Sequence, residues 1–212
     1  MRQLSPIDRL LDEIDHSLRT LYGEPHSTGR PDPSAGFAEA ELSDSERKLA
    51  GDLLRVDHAG EVSAQGLYRG QALTARDPDT RAQMQQSAEE ENDHLQWCEA
   101  RIEALGTHKS LLGPFWYWGS YGIGAFAGTL GDRWSLGFID ETEQQVVRHI
   151  GEHLQRLPEA DHKSRAVLEQ MREDEAHHAH KARTAGAATL PWPVRKLMHA
   201  VSRVMTTAAS RI

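Results

Sequence analysis

A repeated spacing of acidic residues and histidines most constrains what this chain can fold into. In each half of the chain, a single glutamate is followed 30 to 32 residues later by a Glu-x-x-His motif. The two copies are Glu61 with Glu91 and His94, and Glu143 with Glu175 and His178. A turn signal lies near the midpoint of each copy, at Asp77-Pro78 and at 158–161. Each half is therefore predicted to form a helical hairpin.

Helix geometry places the three residues of each copy at one level. At about 1.5 Å per residue, the single glutamate lies roughly 20–24 Å before its turn, and the Glu-x-x-His motif lies about equally far beyond it. Two antiparallel helices then bring the three side chains side by side. Two such hairpins form a four-helix bundle, with helices predicted over 43–77, 79–105, 130–157 and 161–186.

The position of each acid relative to the apolar stripe of its helix indicates whether it faces the bundle core. Glu91 lies in a stripe that continues through Leu95 and Cys98, whereas its acidic neighbours lie off that stripe. The same test selects Glu143 over Glu141 in the third helix. The other residues predicted to face the core with them are Glu61, His94, Glu175 and His178.

Four carboxylates and two imidazoles at one depth in a bundle require neutralisation. An unpaired charge inside a protein costs several kcal/mol. No cluster of lysine or arginine is predicted to face the core beside these acids. Two divalent cations would balance the four carboxylates, as in di-metal carboxylate bundles. Oxygen-rich ligation with one histidine per ion favours iron or manganese. The sequence therefore predicts a di-metal site and leaves the choice between these two metals open.

The remaining composition indicates an all-α globular protein. Of the 212 residues, 38% are hydrophobic and 26% are charged, which fits one domain with a sizeable core. A single cysteine, Cys98, excludes disulfide frameworks, iron–sulfur clusters and cysteine-based zinc sites. We expect an amphipathic helix over 4–21 and a linker over 23–37. Residues 1–42 are thus predicted to precede a bundle domain that spans 43–212.

Two further segments have the composition of a lipid-contacting surface. The net charge of −8 argues against nucleic-acid binding. The charge is unevenly distributed, however, because no acidic residue follows Glu175. The last predicted helix, 194–212, is therefore basic, and it is also amphipathic. It is interpreted as lying on anionic lipid, with docking on a neighbouring acidic bundle as the alternative. Residues 111–130 carry no charge but contain five glycines and six aromatic residues. They are interpreted as an interfacial or bundle-covering segment, with a membrane span or a buried connection as alternatives.

Three motifs in this chain resemble the demethoxyubiquinone hydroxylase family of ubiquinone biosynthesis. They are Arg-Val-Asp-His-Ala-Gly-Glu at 55–61, Glu-Asn-Asp-His-Leu at 91–95 and Glu-Ala-His-His at 175–178. The resemblance covers about 43–212 and implies a ferritin-like four-helix bundle with additional amphipathic or interfacial helices. The iron ligands that it implies are Glu61, Glu91, His94, Glu143, Glu175 and His178. Glu91 and Glu175 would bridge the two irons.

The resemblance also implies an activity and its partners. Members of this family insert one atom of O₂ into the ring of a polyprenylated demethoxyubiquinol, 2-polyprenyl-3-methyl-6-methoxy-1,4-benzoquinol. The implied cofactors are two iron ions per chain and an external reductant, with NADH as the candidate. The implied location is peripheral, on the cytoplasmic side of the cell membrane. The chain is expected to assemble either with copies of itself or with other ubiquinone-biosynthesis proteins, and this choice stays open. A ferritin-like iron-storage protein and a non-catalytic quinone carrier remain alternative functions.

Several other polar residues lie near the predicted site. Asp57 and Tyr68 share the face of Glu61 and are interpreted either as hydrogen-bond partners of the ligands or as polar residues near the bundle end. Four further histidines are interpreted as surface or supporting groups rather than ligands. These are His58, His149, His177 and His180. Cys98 is interpreted as a core-filling residue.

Overall fold

The structure is a computed structural model that describes residues 5–212 of the chain. These residues form seven helices and no β-strand, which confirms the predicted all-α class. The helices are α1 Pro6–Tyr22, α2 Asp44–Thr74, α3 Pro78–Ala104, α4 Gly113–Thr129, α5 Asp132–Arg156, α6 His162–Thr184 and α7 Trp192–Ala209. The predicted start of the first helix, at residue 4, lies outside the described residues.

Capping residues explain where three of the long helices begin. Ser43 and Glu46 form a capping box at the start of α2, in which each side chain bonds the backbone N–H of the other. Asp77 caps α3, and Pro78 occupies its first turn, where a missing N–H costs nothing. Asp161 caps α6 in the same way. These residues place the hairpin turns where the sequence predicted them.

Helices α2, α3, α5 and α6 form the predicted four-helix bundle. The pairs α2–α3 and α5–α6 pack as two hairpins, and contacts between α3 and α6 and between α2 and α5 join them. One apolar cluster, which includes Leu54, Leu154 and Met171, fills one end of the bundle. A second, which includes Met84 and Ile139, fills the other. The buried acids and histidines of the repeat lie between these two apolar layers.

Helix α4 lies in the segment 111–130, which was predicted as interfacial or bundle-covering but without helix bounds, and glycine explains why the bounds were missing. Its glycines interrupt the apolar periodicity that identifies a helix from sequence, but they allow α4 to pack directly on α2. A Cβ atom at Gly66 of α2 would overlap the carbonyl oxygen of Tyr117, and one at Gly124 of α4 would overlap that of Leu67. The segment therefore covers the bundle through backbone-to-backbone contact.

Three helices form an apolar outer surface. Helices α1, α4 and α7 all pack against α2, and each exposes large apolar side chains. The most exposed include Ile7, Leu11 and Tyr22 of α1, Phe115, Trp118 and Phe126 of α4, and Leu197, Val201 and Val204 of α7. Within residues 5–212, no helix is both long and apolar enough to span a bilayer.

Helix α7 differs from its prediction in extent and in its charges. It begins at Trp192, two residues before the predicted start, and ends at Ala209, three residues before the predicted end. Arg195, one of the basic residues of this helix, forms a 2.7 Å ion pair with Glu141 of α5. Part of the positive charge of this helix is therefore neutralised within the chain and not displayed.

Candidate metal centre

The structure brings the six predicted site residues together in the middle of the bundle. Each is 3% exposed or less. They are Glu61 on α2, Glu91 and His94 on α3, Glu143 on α5, and Glu175 and His178 on α6. One candidate ligand atom from each of Glu61, Glu91, His94 and Glu175 lies within 4.8 Å of the other three. Burial raises the pKa of Glu143 on α5, and the nearby charge of Glu175 raises it further. Glu143 therefore joins this cluster, so all four helices of the bundle contribute to it.

Both histidines direct the same ring nitrogen into this cluster. Nδ1 of His94 lies 2.7 Å from Oε2 of Glu91 and 3.2 Å from Oε1 of Glu175. Nδ1 of His178 lies 3.1 Å from Oε1 of Glu91 and 3.4 Å from Oε2 of Glu175. The two hairpins therefore present equivalent sets of donors to one shared space, with Glu91 and Glu175 between the imidazoles.

The outer nitrogen of each histidine contacts an acid from the opposite hairpin. Nε2 of His94 lies 2.9 Å from Asp174, and Nε2 of His178 lies 2.7 Å from Glu90. A carboxylate on the outer nitrogen fixes the tautomer and the ring orientation of a ligating histidine. Neither contact was predicted from the sequence. The detectable signal was an acid immediately before the glutamate of each Glu-x-x-His motif.

Tyr68 supports the fourth glutamate of the cluster. Its hydroxyl donates a 2.6 Å hydrogen bond to Oε1 of Glu143, and its ring meets that of His178 edge-on, with 6.3 Å between the centroids. Burial raises the pKa of Tyr68 well above its ordinary value, and the charge of Glu143 adds to this effect. The phenol therefore stays protonated and acts as a hydrogen-bond donor.

The carboxyl groups of the cluster titrate very differently from one another. Burial, reinforced by the charge of Glu91, raises the pKa of Glu61 well above its ordinary value. Burial and the neighbouring Glu175 do the same to the pKa of Glu143. Burial also opposes ionisation of Glu91, but His94 and the second imidazole outweigh it and hold the pKa of Glu91 well below its ordinary range. With protons as the only cations, the cluster must keep part of its acids protonated.

Several buried donor atoms of the cluster have no hydrogen-bond partner within residues 5–212. Among the described residues, Oε1 of Glu91, both carboxylate oxygens of Glu175 and Nδ1 of His178 are buried and have no hydrogen-bond partner. Unsatisfied buried polar atoms are rare in native proteins. Four carboxylates and two imidazoles are the donor set of di-metal sites in helical bundles. The residues present could therefore hold two divalent cations.

Comparison with known proteins identifies the family. A model of the family described as ubiquinone biosynthesis protein COQ7 matches residues 48–209. The chain belongs to the COQ7 family. It is 55% identical over 208 residues to the 3-demethoxyubiquinol 3-hydroxylase of Nitrosococcus oceani, an alignment that covers 98% of this chain and 97% of that protein. The ferritin-like bundle implied by the sequence motifs agrees with this assignment.

Two more relatives extend the likeness across the chain. The 3-demethoxyubiquinol 3-hydroxylase of Polynucleobacter asymbioticus is 51% identical over 210 residues, which are 99% of this chain and 100% of that protein. That of Stutzerimonas stutzeri is 54% identical over 211 residues, 100% of this chain and 98% of that protein. These alignments take in the N-terminal region, 1–42, for which the motifs provided no counterpart.

In this COQ7-family chain, the N-terminal region contacts the outside of the six-residue cluster. The buried carboxylate of Asp93 accepts hydrogen bonds from Ser27 Oγ at 2.7 Å, from the backbone N–H of Thr28 at 2.8 Å and from Arg30 Nε at 3.0 Å. A terminal nitrogen of Arg30 lies 2.6 Å from Asp174, the partner of His94 Nε2. The predicted linker is therefore an ordered loop that supports a histidine of the cluster. Whether 1–42 forms a separate unit stays a prediction.

The other histidines take different positions. His58, interpreted as a surface or supporting group, is buried, with Nε2 at 3.1 Å from Oε1 of Glu99. The surface interpretation of His58 is wrong because only 3% of the residue is exposed. His177 and His180 are exposed, and Cys98 is fully buried in the apolar core.

Proposed function

We propose that this chain hydroxylates the ring of a polyprenylated demethoxyubiquinol with O₂ at a di-iron centre held by the six-residue cluster. One atom of O₂ converts a ring C–H to C–OH, the other leaves as water, and an external reductant such as NADH supplies two electrons. Two iron ions, when bound, supply the redox chemistry that activates O₂. The 3-demethoxyubiquinol 3-hydroxylases named above support the substrate class.

The single observation that carries this proposal is the shared space between Glu91 and Glu175. Each of these glutamates faces both imidazoles, and each has a buried oxygen without a partner among the described residues. A carboxylate that faces two donor sets can bridge two ions. The four carboxylates match the charge of two divalent ions, so the centre would be neutral inside the apolar bundle.

The surrounding residues hold the ligands in place and keep water away. Asp174 and Glu90 orient the two histidines through Nε2, so that Nδ1 faces inward. Tyr68 holds Glu143 by donating its hydroxyl proton in a hydrogen bond. The apolar clusters at both ends of the bundle separate the six residues from solvent. A dry site strengthens electrostatic interactions and limits loss of activated oxygen to side reactions.

The outer apolar surface supports access to a lipid-dissolved substrate. Polyprenyl quinols partition into membranes, and α1, α4 and α7 expose apolar side chains on one side of α2. Lys196 and Arg203 of α7 add positive charge suited to anionic headgroups. We therefore infer that the chain binds peripherally to the cytoplasmic face of the cell membrane through these helices. A homo-oligomer or partner proteins of the same pathway are compatible with this surface.

Isotope incorporation tests the activity. Iron-loaded protein, a short-chain demethoxyubiquinol, NADH or another reductant, and ¹⁸O₂ are combined, and the product is analysed by mass spectrometry. We expect one ¹⁸O atom in the ring hydroxyl. Glu91→Ala should form no product because it removes the glutamate between the imidazoles, whereas the exposed Glu89→Gln should retain turnover.

The same assay separates the alternative functions. An iron-storage protein would take up iron well beyond two ions per chain and leave the quinol unchanged. A carrier would bind the quinol but return it without ¹⁸O. Either result in iron-loaded wild-type protein, or undiminished turnover in Glu91→Ala, would contradict the proposal.

A further inference from the structure

We propose that Asp57, His149 and His153 form a separate, mononuclear site for a divalent transition-metal ion between α2 and α5. Each residue offers one donor atom, and the three atoms lie within 4.8 Å of one another. None of the three belongs to the six-residue cluster. Asp57 lies one helical turn before Glu61, about 6 Å along α2. The site is therefore a neighbour of the di-metal centre rather than part of it.

The distances within this triad suit a single ion. Nδ1 of His153 lies 2.9 Å from Oδ1 of Asp57, and Nε2 of His149 lies 4.0 Å from the same oxygen. Two donors bonded to one zinc ion at about 2.0–2.2 Å lie at most about 4.4 Å apart. The two imidazole rings are 4.0 Å apart between centroids and tilted by 59°. An ion placed among the three atoms would reach all of them with small side-chain movements.

The buried carboxylate of Asp57 contacts histidines rather than a lysine or an arginine, and its Oδ2 lies 2.9 Å from Nδ1 of His153, in a hydrogen bond. The side chain of Asp57 is 1% exposed, and among the described residues neither lysine nor arginine forms an ion pair with it. Within the same part of the chain, Oδ1 of Asp57 and Nε2 of His149 are buried without a hydrogen-bond partner. A buried carboxylate with an unsatisfied oxygen is costly unless a cation or further donor compensates it. A divalent ion would satisfy both orphaned atoms at once.

Helix geometry and protonation also favour metal ligation. His149 and His153 are four residues apart on α5, so their side chains share one face, the spacing with which paired histidines bind zinc on a helix. Burial and the nearby His153 lower the pKa of His149, which favours the neutral imidazole that a metal requires. Two imidazoles and one carboxylate suit zinc, ferrous iron or cobalt rather than calcium or magnesium. His149 remains 30% exposed and gives ions access from solvent.

Cobalt binding tests this site independently of the di-metal centre. Metal-free full-length protein is saturated with Co²⁺, freed of excess ion and analysed for bound cobalt. The wild type should bind one more ion per chain than His153→Gln and one more than His149→Gln. His58→Gln is the matched control, since His58 is a buried histidine on α2 that bonds Glu99 instead. It should bind as many ions as the wild type.

The Glu91→Ala variant separates this site from the proposed hydroxylase centre. If the six-residue cluster is emptied by that change, one cobalt ion per chain should remain, and an anomalous difference map should place it among Asp57, His149 and His153. The proposal is overturned if both histidine variants, folded by circular dichroism, bind as much cobalt as the wild type. It is also overturned if the map shows no ion there. His149→Gln keeps the test decisive if the more buried His153→Gln does not fold.

Discussion

The carboxylate of Asp174 accepts a hydrogen bond from Nε2 of His94, at 2.9 Å, across the interface between α3 and α6. Arg30 of the N-terminal loop contacts the same carboxylate oxygen at 2.6 Å. Burial alone would raise the pKa of Asp174, but His94 and Arg30 outweigh it and hold the pKa well below its ordinary value. Asp174 is therefore an ionised link between a loop outside the bundle and the six-residue cluster.

Loss of this link should weaken metal binding without unfolding the protein. Asp174→Asn keeps the shape of the side chain but removes the charge that orients His94. We expect the affinity for Mn²⁺ or Fe²⁺ to fall about 10–100-fold, the usual effect of losing such a partner. Competition with a chelator of known affinity measures the change. Glu173→Gln, an exposed neighbour on α6, is the control. Equal affinities for all three proteins would show that Asp174 does not position His94.

The glycine contact between α2 and α4 should be intolerant of a single methyl group. At Gly66 a Cβ atom would overlap the backbone oxygen of Tyr117. We expect Gly66→Ala to lower the free energy of unfolding by about 1–3 kcal/mol through overpacking. At Gly122 a methyl group would point into open space, so Gly122→Ala should raise stability by about 0.5–1 kcal/mol. Urea unfolding measures both. An unchanged free energy of unfolding in Gly66→Ala would mean that α2 and α4 can move apart without loss of stability.

Glu90 should make the metal-free protein sensitive to acid. The pKa of Glu90 is lowered to about 2, from an ordinary value of 4.5, and its hydrogen bond with His178 is the largest cause. Between these two values the folded state binds fewer protons than the unfolded state, so stability falls as the pH falls. Glu90→Gln cannot ionise and should lose less stability between pH 5 and pH 3 than the wild type. Urea unfolding at the two pH values measures this difference, with the exposed Glu89→Gln as the control. Identical losses in wild type and Glu90→Gln would contradict the assignment.

The apolar face of α7 should contribute to membrane binding. Leu197 and Val204 are 65% and 68% exposed, so replacing both with serine removes apolar surface without disturbing the core. We expect the double variant to bind vesicles that contain anionic lipid more weakly in a sedimentation assay. Phe37→Ser is the control, because Phe37 is also exposed but lies against His162 at the start of α6. Unchanged binding of the double variant would assign the contact to another surface.

The sequence predicted the parts of the fold that follow from local periodicity. The four bundle helices and their turns could be predicted because apolar stripes, caps and prolines are encoded within a few residues. The inward orientation of Glu91 and Glu143 followed from the same stripes. The convergence of the six residues followed from the equal distances to each turn, since helix rise is constant.

Contacts between distant segments could not be predicted in this way. Asp174 and His94 are 80 positions apart, and no local pattern relates them. The loop that contains Arg30 has too few apolar residues to indicate where it docks. The bounds of α4 could not be predicted for a different reason. Its glycines weaken the sequence pattern of a helix. They allow the close contact between the backbones of α4 and α2, which only the structure shows.

Diffraction at the iron absorption edge tests the central claim most directly. Crystals of the iron-loaded protein should show two anomalous peaks about 3.5–4 Å apart, surrounded by the six residues of the repeat, with Glu91 and Glu175 contacting both. A single peak at this position, or iron bound only elsewhere while Glu91 and Glu175 contact no ion, would contradict the di-iron centre on which the proposed hydroxylation depends.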